Sequence, residues 1–253
     1  MAASLEVLFT PADFAALGAR DLRNTVCVVF DILRATSSMV TALANGAAAL
    51  IPVADIPEAL ALRQRRPEVL LAGERNGLRI PAALTGGLEF DLGNSPREYS
   101  REHVAGRIIV STTTNGTRAL RACAAAKTTL LGSFLNLRAT ALYLAQPAPV
   151  HLLLVCSGTH EEAAYEDVLA AGALCDRLWP DCFSGQVADS AQIARILYRQ
   201  ARHDLSGAMQ HSSNARRLLA NPELRDDVPW CLQHDTTSIV AALDQAGTIK
   251  KLP

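Results

Sequence analysis

Aromatic residues are scarce in this chain, at 5% of 253 residues, and neither sign of charge dominates, with 24 Lys and Arg against 25 Asp and Glu. That balance excludes the basic face that nucleic-acid binding needs, and no run of like charges marks a tail. Long apolar stretches are also missing. The nearest approach, "ALANGAAALIPV", is interrupted by Asn, Gly and Pro and makes a poor membrane span. The N-terminal "MAASLEVLFTPADF" has no basic segment followed by an apolar one, so the expectation is a cytoplasmic chain without an export signal. Six cysteines (Cys27, Cys123, Cys156, Cys175, Cys182, Cys231) include no CxxC pair. They are expected to be reduced core or site thiols rather than a disulfide framework or a zinc cluster.

Short apolar runs alternate with longer helical patterns. Strands are predicted at 5–9, 26–30, 49–53, 68–72, 107–111, 128–132 and 151–156. Helices are predicted at 36–46, 55–65, 116–126, 135–145, 164–178 and 187–201. Several of the runs are apolar on both faces, as in a sheet covered on both sides. The alternation predicts a layered α/β/α fold with a largely parallel or mixed sheet, formed by residues 1–253 as one unit. From 203 onward the pattern is one of short helices and a closing segment, "TSIVAAL", of undecided type. Residues 73–106 have little periodicity and many Gly, Pro and polar residues, so an ordered functional loop is expected there. Three units share an order of apolar strand, polar turn and Ala-rich helix: "VVFDILRATSSMVTALANGA", "IIVSTTTNGTRALRACAAA" and "LLVCSGTHEEAAYEDVLAAGAL". An internal duplication would account for that pattern.

In open α/β sheets, ligands bind beyond the carboxyl ends of the strands. Such turns here supply Asp31, Arg34 and Thr36 to Ser38; then Ser111 to Thr117; then Cys156, Ser157, Gly158, Glu166 and Asp167. The 73–95 segment adds Glu74, Arg75, Asn76, Asp91, Asn94 and Ser95. Carboxylate oxygens suit a hard cation such as Mg²⁺, and Arg forks and helix N-termini suit phosphate or sulfonate. Known phosphate motifs are absent. "STTTNGTRA" lacks the GK[ST] ending of a Walker loop, position 162 is Glu where a phosphatase cysteine loop from Cys156 needs Arg, Leu33 breaks a DxD pattern, and no GxSxG is present.

In order, "VVFDILRATSSMVTALANGA", "GERNGLRIP…FDLGNSP", "STTTNGTRAL", "CSGT…EDVLAAGAL" and "DDVPWC" resemble the 2-phosphosulfolactate phosphatase family over roughly residues 24 to 240. The resemblance implies an α/β, Mg²⁺-dependent acid phosphatase that converts 2-phospho-3-sulfolactate to 3-sulfolactate on the route to coenzyme M. Two stretches depart from the family pattern, "AALTGGLE" ahead of Phe90 and extra residues around "THEEAAY".

Each candidate also has a plainer role. Asp31 is a helix cap or a metal ligand, and the caps offered by Thr36 to Ser38 favour the ligand. Glu74 and Arg75 are a loop ion pair or a ligand and an anion contact. Of the adjacent Glu166 and Asp167, one is expected to point inward, and the motif favours Asp167. Cys156 is core or a nucleophile, and Asp91 is structural or a site acid. His160 and His211 are surface residues first and acids second. The expected assignment places Mg²⁺ on Asp31, Glu74 and Asp167. Asp31, Arg34 and Cys156 are the candidate catalytic groups, with Arg75, Asn94, Ser95, Ser111, Thr112, Thr113, Asn115, Gly116 and Thr117 around a small phosphorylated anion. Gly116 is expected to let backbone approach the ligand. Metal-bound water and a covalent side chain both stand as attacking group. The rival readings are a phosphatase for another small phosphorylated acid and a non-enzymatic anion-binding protein. A homodimer is the base expectation for the assembly.

Overall fold

The computed structural model describes residues 4–146, 149–179 and 186–253; Cys182 lies outside them. The strands are β1 (Ser4–Leu8), β2 (Thr25–Phe30), β3 (Ala49–Pro52), β4 (Leu70–Arg75), β5 (Leu78–Arg79), β6 (Ile108–Thr112), β7 (Thr128–Gly132), β8 (His151–Cys156), β9 (Gln186–Val187), β10 (Ala241–Leu243) and β11 (Ile249–Lys251). The helices are α1 (Pro11–Ala15), α2 (Ala35–Ala44), α3 (Ile56–Arg65), α4 (Arg101–Val104), α5 (Gly116–Ala122), α6 (Leu137–Ala145), α7 (Tyr165–Leu178), α8 (Asp189–Ala201), α9 (Leu205–Ala208), α10 (Ser213–Leu219) and α11 (Asp227–Cys231).

All eleven strands join one sheet in the order β5-β4-β6-β3-β11-β10-β7-β2-β8-β1-β9. Two parallel blocks, β4-β6-β3 and β7-β2-β8-β1-β9, are joined by the antiparallel hairpin β10-β11. The sheet is therefore mixed, and the undecided "TSIVAAL" segment leads into β10, which pairs with β7. Along β2 the side chains alternate between two cores: Val26, Val28 and Phe30 enter one, Cys27 and Val29 the other. That alternation, with every β2 residue buried, is the signature of a sheet covered by helices on both faces.

The 73–106 segment is more structured than its composition suggests. β4 runs on through Glu74 and Arg75 and turns back into β5 at Asn76-Gly77, with φ of 56° and 82°. Two left-handed residues form the tight hairpin turn that Asn-Gly favours. Asp91 Oδ2 then accepts from Leu71 N at 2.7 Å and from Arg63 Nη1 at 2.8 Å, which ties the following loop to β4. Asp91 is thus structural. The helix predicted at 116–126 stops at Ala122. Lys127 N instead donates to the carbonyls of Leu22 and Thr25 at 3.2 and 3.0 Å, so contact with a distant turn overrides the helical preference of the Ala run. No helix among the described residues is long and apolar enough to cross a membrane.

Candidate active site

In a flat sheet, the six strand intervals between β6 and β8 would separate their ends by about 29 Å. Instead, Asn115 Nδ2, just beyond β6, donates to Gly158 O at 3.0 Å and His160 O at 2.9 Å, beyond β8. The sheet curls so that the carboxyl ends of its two parallel blocks face each other across a cleft of about 270 Å³. Its walls come from the turns after β2, β4, β6 and β8, the start of α7, and α10.

Four carboxylates line the cleft: Asp31, Glu74, Glu166 and Asp167. Asp31 Oδ1 accepts from Ala35 N at 3.0 Å. Its Oδ2 lies where a side chain on residue 116 would be, 2.6 Å from an added Cβ. Gly116 thus brings backbone close to a carboxylate rather than to the cleft space, and it does not line the cleft. Glu74 is buried. Its Oε1 accepts from Thr114 N at 3.0 Å and Thr114 Oγ1 at 2.7 Å, and its Oε2 from Gly77 N at 2.8 Å. Asp167 Oδ1 accepts from Ile32 N at 2.8 Å, and its Oδ2 from Ser157 Oγ at 3.1 Å and Gly158 N at 3.2 Å. Glu166 accepts from Ser212 Oγ at 2.6 Å and Asn214 Nδ2 at 3.1 Å. Both acids of the Glu166-Asp167 pair therefore face the cleft, where one was expected. They open α7, whose first turn meets the cleft end-on, so each finds donors on a different neighbour.

Crowding these acids changes their titration. Burial pushes Asp31 up from 3.8 to about 6, with the charges of Glu74 and Glu166 adding to the shift. Burial, then the charges of Asp31 and Glu166, pushes Asp167 well above the usual carboxylate range. Both shifts come first from burial, with the neighbouring negative charges adding to it.

Three arginines answer these acids, and they differ. Arg34 is buried and donates to Asp227 Oδ2 at 2.6 Å and to Gly77 O. Asp227 is wholly buried and also accepts from Ser95 Oγ at 2.6 Å and Arg97 Nε at 2.8 Å. Arg75 donates to Glu74 O at 2.6 Å and Thr112 Oγ1 at 3.3 Å, and Arg217 to Asn214 Oδ1 at 2.7 Å. Among the described residues neither Arg75 nor Arg217 has a carboxylate partner.

Of the residues expected from the sequence, Asp31, Arg34, Glu74, Arg75, Asn94, Thr113, Asn115 and Asp167 line the cleft. Ser95 does not; it holds Asp227. Ser111 and Thr112 finish β6, and Thr117 closes the first turn of α5 by exchanging hydrogen bonds with Thr113 at 3.1 Å. Cys156 is fully buried at the end of β8, away from the lining, and burial followed by the charge of Asp167 pushes its thiol well up. It has neither the access nor the thiolate character of a nucleophile. Glu166 was weighed against Asp167 and ranked second, and Asn214, Arg217 and Asp227 were not among the expected site residues. Asp227 had a signal in the "DDVPWC" motif; Asn214 and Arg217 sit in a helix without one. The "AALTGGLE" residues, 82–89, lie outside the cleft, whereas Thr159 and His160 of the other departure line it.

The oxygen-only acids fit a hard cation that takes one or two carboxylates and fills its remaining positions with water and phosphate. Among the described residues, no three His, Cys, Asp or Glu stand close enough to hold a metal ion by themselves.

A family model described as 2-phosphosulpholactate phosphatase matches residues 14–246. A probable 2-phosphosulfolactate phosphatase of Pseudothermotoga lettingae is 39% identical over 251 residues, 98% of this chain and 100% of that one. Proteins with the same name from Caldicellulosiruptor saccharolyticus and Deinococcus radiodurans are 38% and 40% identical, over 87% and 86% of this chain and 89% and 87% of theirs. The chain belongs to the 2-phosphosulpholactate phosphatase family.

Proposed function

From that membership, we propose that the chain hydrolyses the phosphomonoester of 2-phospho-3-sulfolactate to 3-sulfolactate and phosphate. It would do so with Mg²⁺ on one or two of the acids Asp31, Glu74 and Asp167, which do not stand close enough to hold it all three together, in the cytoplasm and on the route to coenzyme M. The observation that carries this reading is the charge count of the cleft. Four acids face three arginines, one of them already matched by Asp227. A multiply charged phosphate ester entering alone would meet excess negative charge; a divalent cation reverses that balance. A cation bound there would have to displace the protons that burial favours on Asp31 and Asp167.

When bound, Mg²⁺ supplies positive charge against the phosphate oxygens as the ester bond breaks. The chain does the rest. Arg34, locked by Asp227, presents a guanidinium that need not reorganise. Thr113 offers its hydroxyl to the cleft, Asn115 ties that wall to the turn after β8, and Thr114 keeps Glu74 turned into the cleft through its two bonds. Preorganised donors of this kind stabilise developing charge best because they are fixed before the reaction. The attacking group is one that the cleft exposes, which excludes the buried Cys156.

The test is release of inorganic phosphate by the purified chain from 2-phospho-3-sulfolactate and from a panel of other phosphorylated carboxylic acids, with Mg²⁺ and with chelator. Preferred, Mg²⁺-dependent turnover of 2-phospho-3-sulfolactate is expected. Preference for another ester would reassign the substrate, and turnover indifferent to chelator would refute the metal.

A further inference from the structure

Arg217 stands apart from the other two cleft arginines. Arg34 is buried and fixed in place by Asp227 and Gly77. Arg75 is drawn back along its own strand to Glu74 O and to Thr112. Arg217 is exposed and, among the described residues, makes one hydrogen bond, to Asn214 Oδ1, and has no acidic partner. Its Nη1 lies over the Asn76-Gly77 turn, 3.4 Å from where a Cβ on Gly77 would stand.

Asn214 gives this arginine a fixed aim. It is buried, and its Nδ2 donates to Leu33 O at 2.7 Å and to Glu166 Oε1 at 3.1 Å. Those two bonds fasten α10 to the turn after β2 and to α7. The remaining Asn214 oxygen receives Arg217. One amide thus connects a buried acid at the base of the cleft to a free guanidinium at its mouth.

We infer that Arg217 is a specificity-determining residue, which binds the second anionic group of the substrate while its phosphate sits among the buried acids. The inference rests on the phosphatase reading above. A guanidinium fork pairs with the oxygens of a carboxylate or of a sulfonate, and at a partly exposed mouth it adds binding without joining the bond-breaking step. Its contribution therefore falls on KM for esters bearing that group, with little on kcat.

The experiment compares wild type, Arg217→Met and Arg217→Lys on four esters: 2-phospho-3-sulfolactate, 2-phospholactate (no sulfonate), 1-sulfopropan-2-yl phosphate (no carboxylate) and phenyl phosphate (neither). Loss of a charged hydrogen bond predicts that Arg217→Met raises KM for 2-phospho-3-sulfolactate roughly 10- to 100-fold relative to the change for phenyl phosphate, with Lys between Met and wild type. A loss shared with only one of the two intermediate esters identifies which anion Arg217 takes. An equal loss on all four esters, or none on any, overturns the inference. If wild type favours another anion-bearing ester over 2-phospho-3-sulfolactate, the named substrate fails, yet loss of that preference in Arg217→Met upholds the role of Arg217. If wild type favours no anion-bearing ester over phenyl phosphate, the role of Arg217 fails as well.

Discussion

Removing the Asp227 carboxylate should destabilise the fold and disable the cleft together. The side chain is wholly buried and accepts from three groups, Arg34 Nη1 at 2.6 Å, Ser95 Oγ at 2.6 Å and Arg97 Nε at 2.8 Å. Asp227→Ala leaves the Arg34 guanidinium, itself buried, without its counter-charge. Breaking a buried pair from one side costs about 3–5 kcal/mol, because the remaining charge stays desolvated. Arg97 is partly exposed and can turn to water, so its share is small. At about 2–4 °C per kcal/mol for a chain of this size, the melting temperature should fall by roughly 6–20 °C. Thermal and urea unfolding, followed by circular dichroism, measure this directly. The double variant Arg34→Met/Asp227→Leu removes both charges and should recover much of the stability but none of the activity. A melting temperature for Asp227→Ala within about 2 °C of wild type would refute the reasoning, since it would mean that Arg34 is not held as a buried ion.

Other outcomes follow from the same geometry. Gly116→Ala puts a Cβ 2.6 Å from Asp31 Oδ2 and 2.7 Å from Ala35 Cβ, so a stability loss of about 1–3 kcal/mol and reduced turnover are expected. Gly18→Ala, with nothing within 4 Å of the new atom, is the control and should melt like wild type. Asp31 binds its proton more tightly in the folded chain than in the unfolded one. Its contribution to stability is therefore full below 3.8 and is lost as pH rises through about 6. In chelator, the Asp31→Asn melting temperature should accordingly gain on that of wild type between pH 4 and pH 7; parallel curves would contradict the shift. Because the proton and the cation compete for the same acids, Mg²⁺ affinity measured by calorimetry should weaken as pH falls below about 6.

The parts of this fold that were legible in the sequence are those whose burial leaves a local mark. β2, β6 and β8 read as strands because a parallel strand covered on both faces must be a continuous apolar run. β10 and β11, at three residues each, carry no such pattern and owe their conformation to pairing with β7 and with each other. The β4–β5 hairpin was signalled by Asn76-Gly77, but the loop-like composition around it masked the signal. Within the site, Asp31 stood out as a charge at the end of an apolar run, and Glu74 through the family resemblance of its segment. Glu166 was passed over because adjacent helix residues point roughly 100° apart, which argues for a single inward face; that argument fails where a helix meets a cleft end-on. Asn214 and Arg217 look like any polar helix face, and only the folding of α10 across the mouth of the cleft gives them a role.

The central claim is that the acids of this cleft support Mg²⁺-dependent phosphate release, and Asp31→Asn tests it most directly. The substitution keeps the size of the side chain and the acceptor that Ala35 N needs, while removing the charge. With 2-phospho-3-sulfolactate and saturating Mg²⁺, the account predicts a fall in phosphate release on the order of 100-fold or more, in a chain that still melts cooperatively. A rate near that of wild type would contradict it.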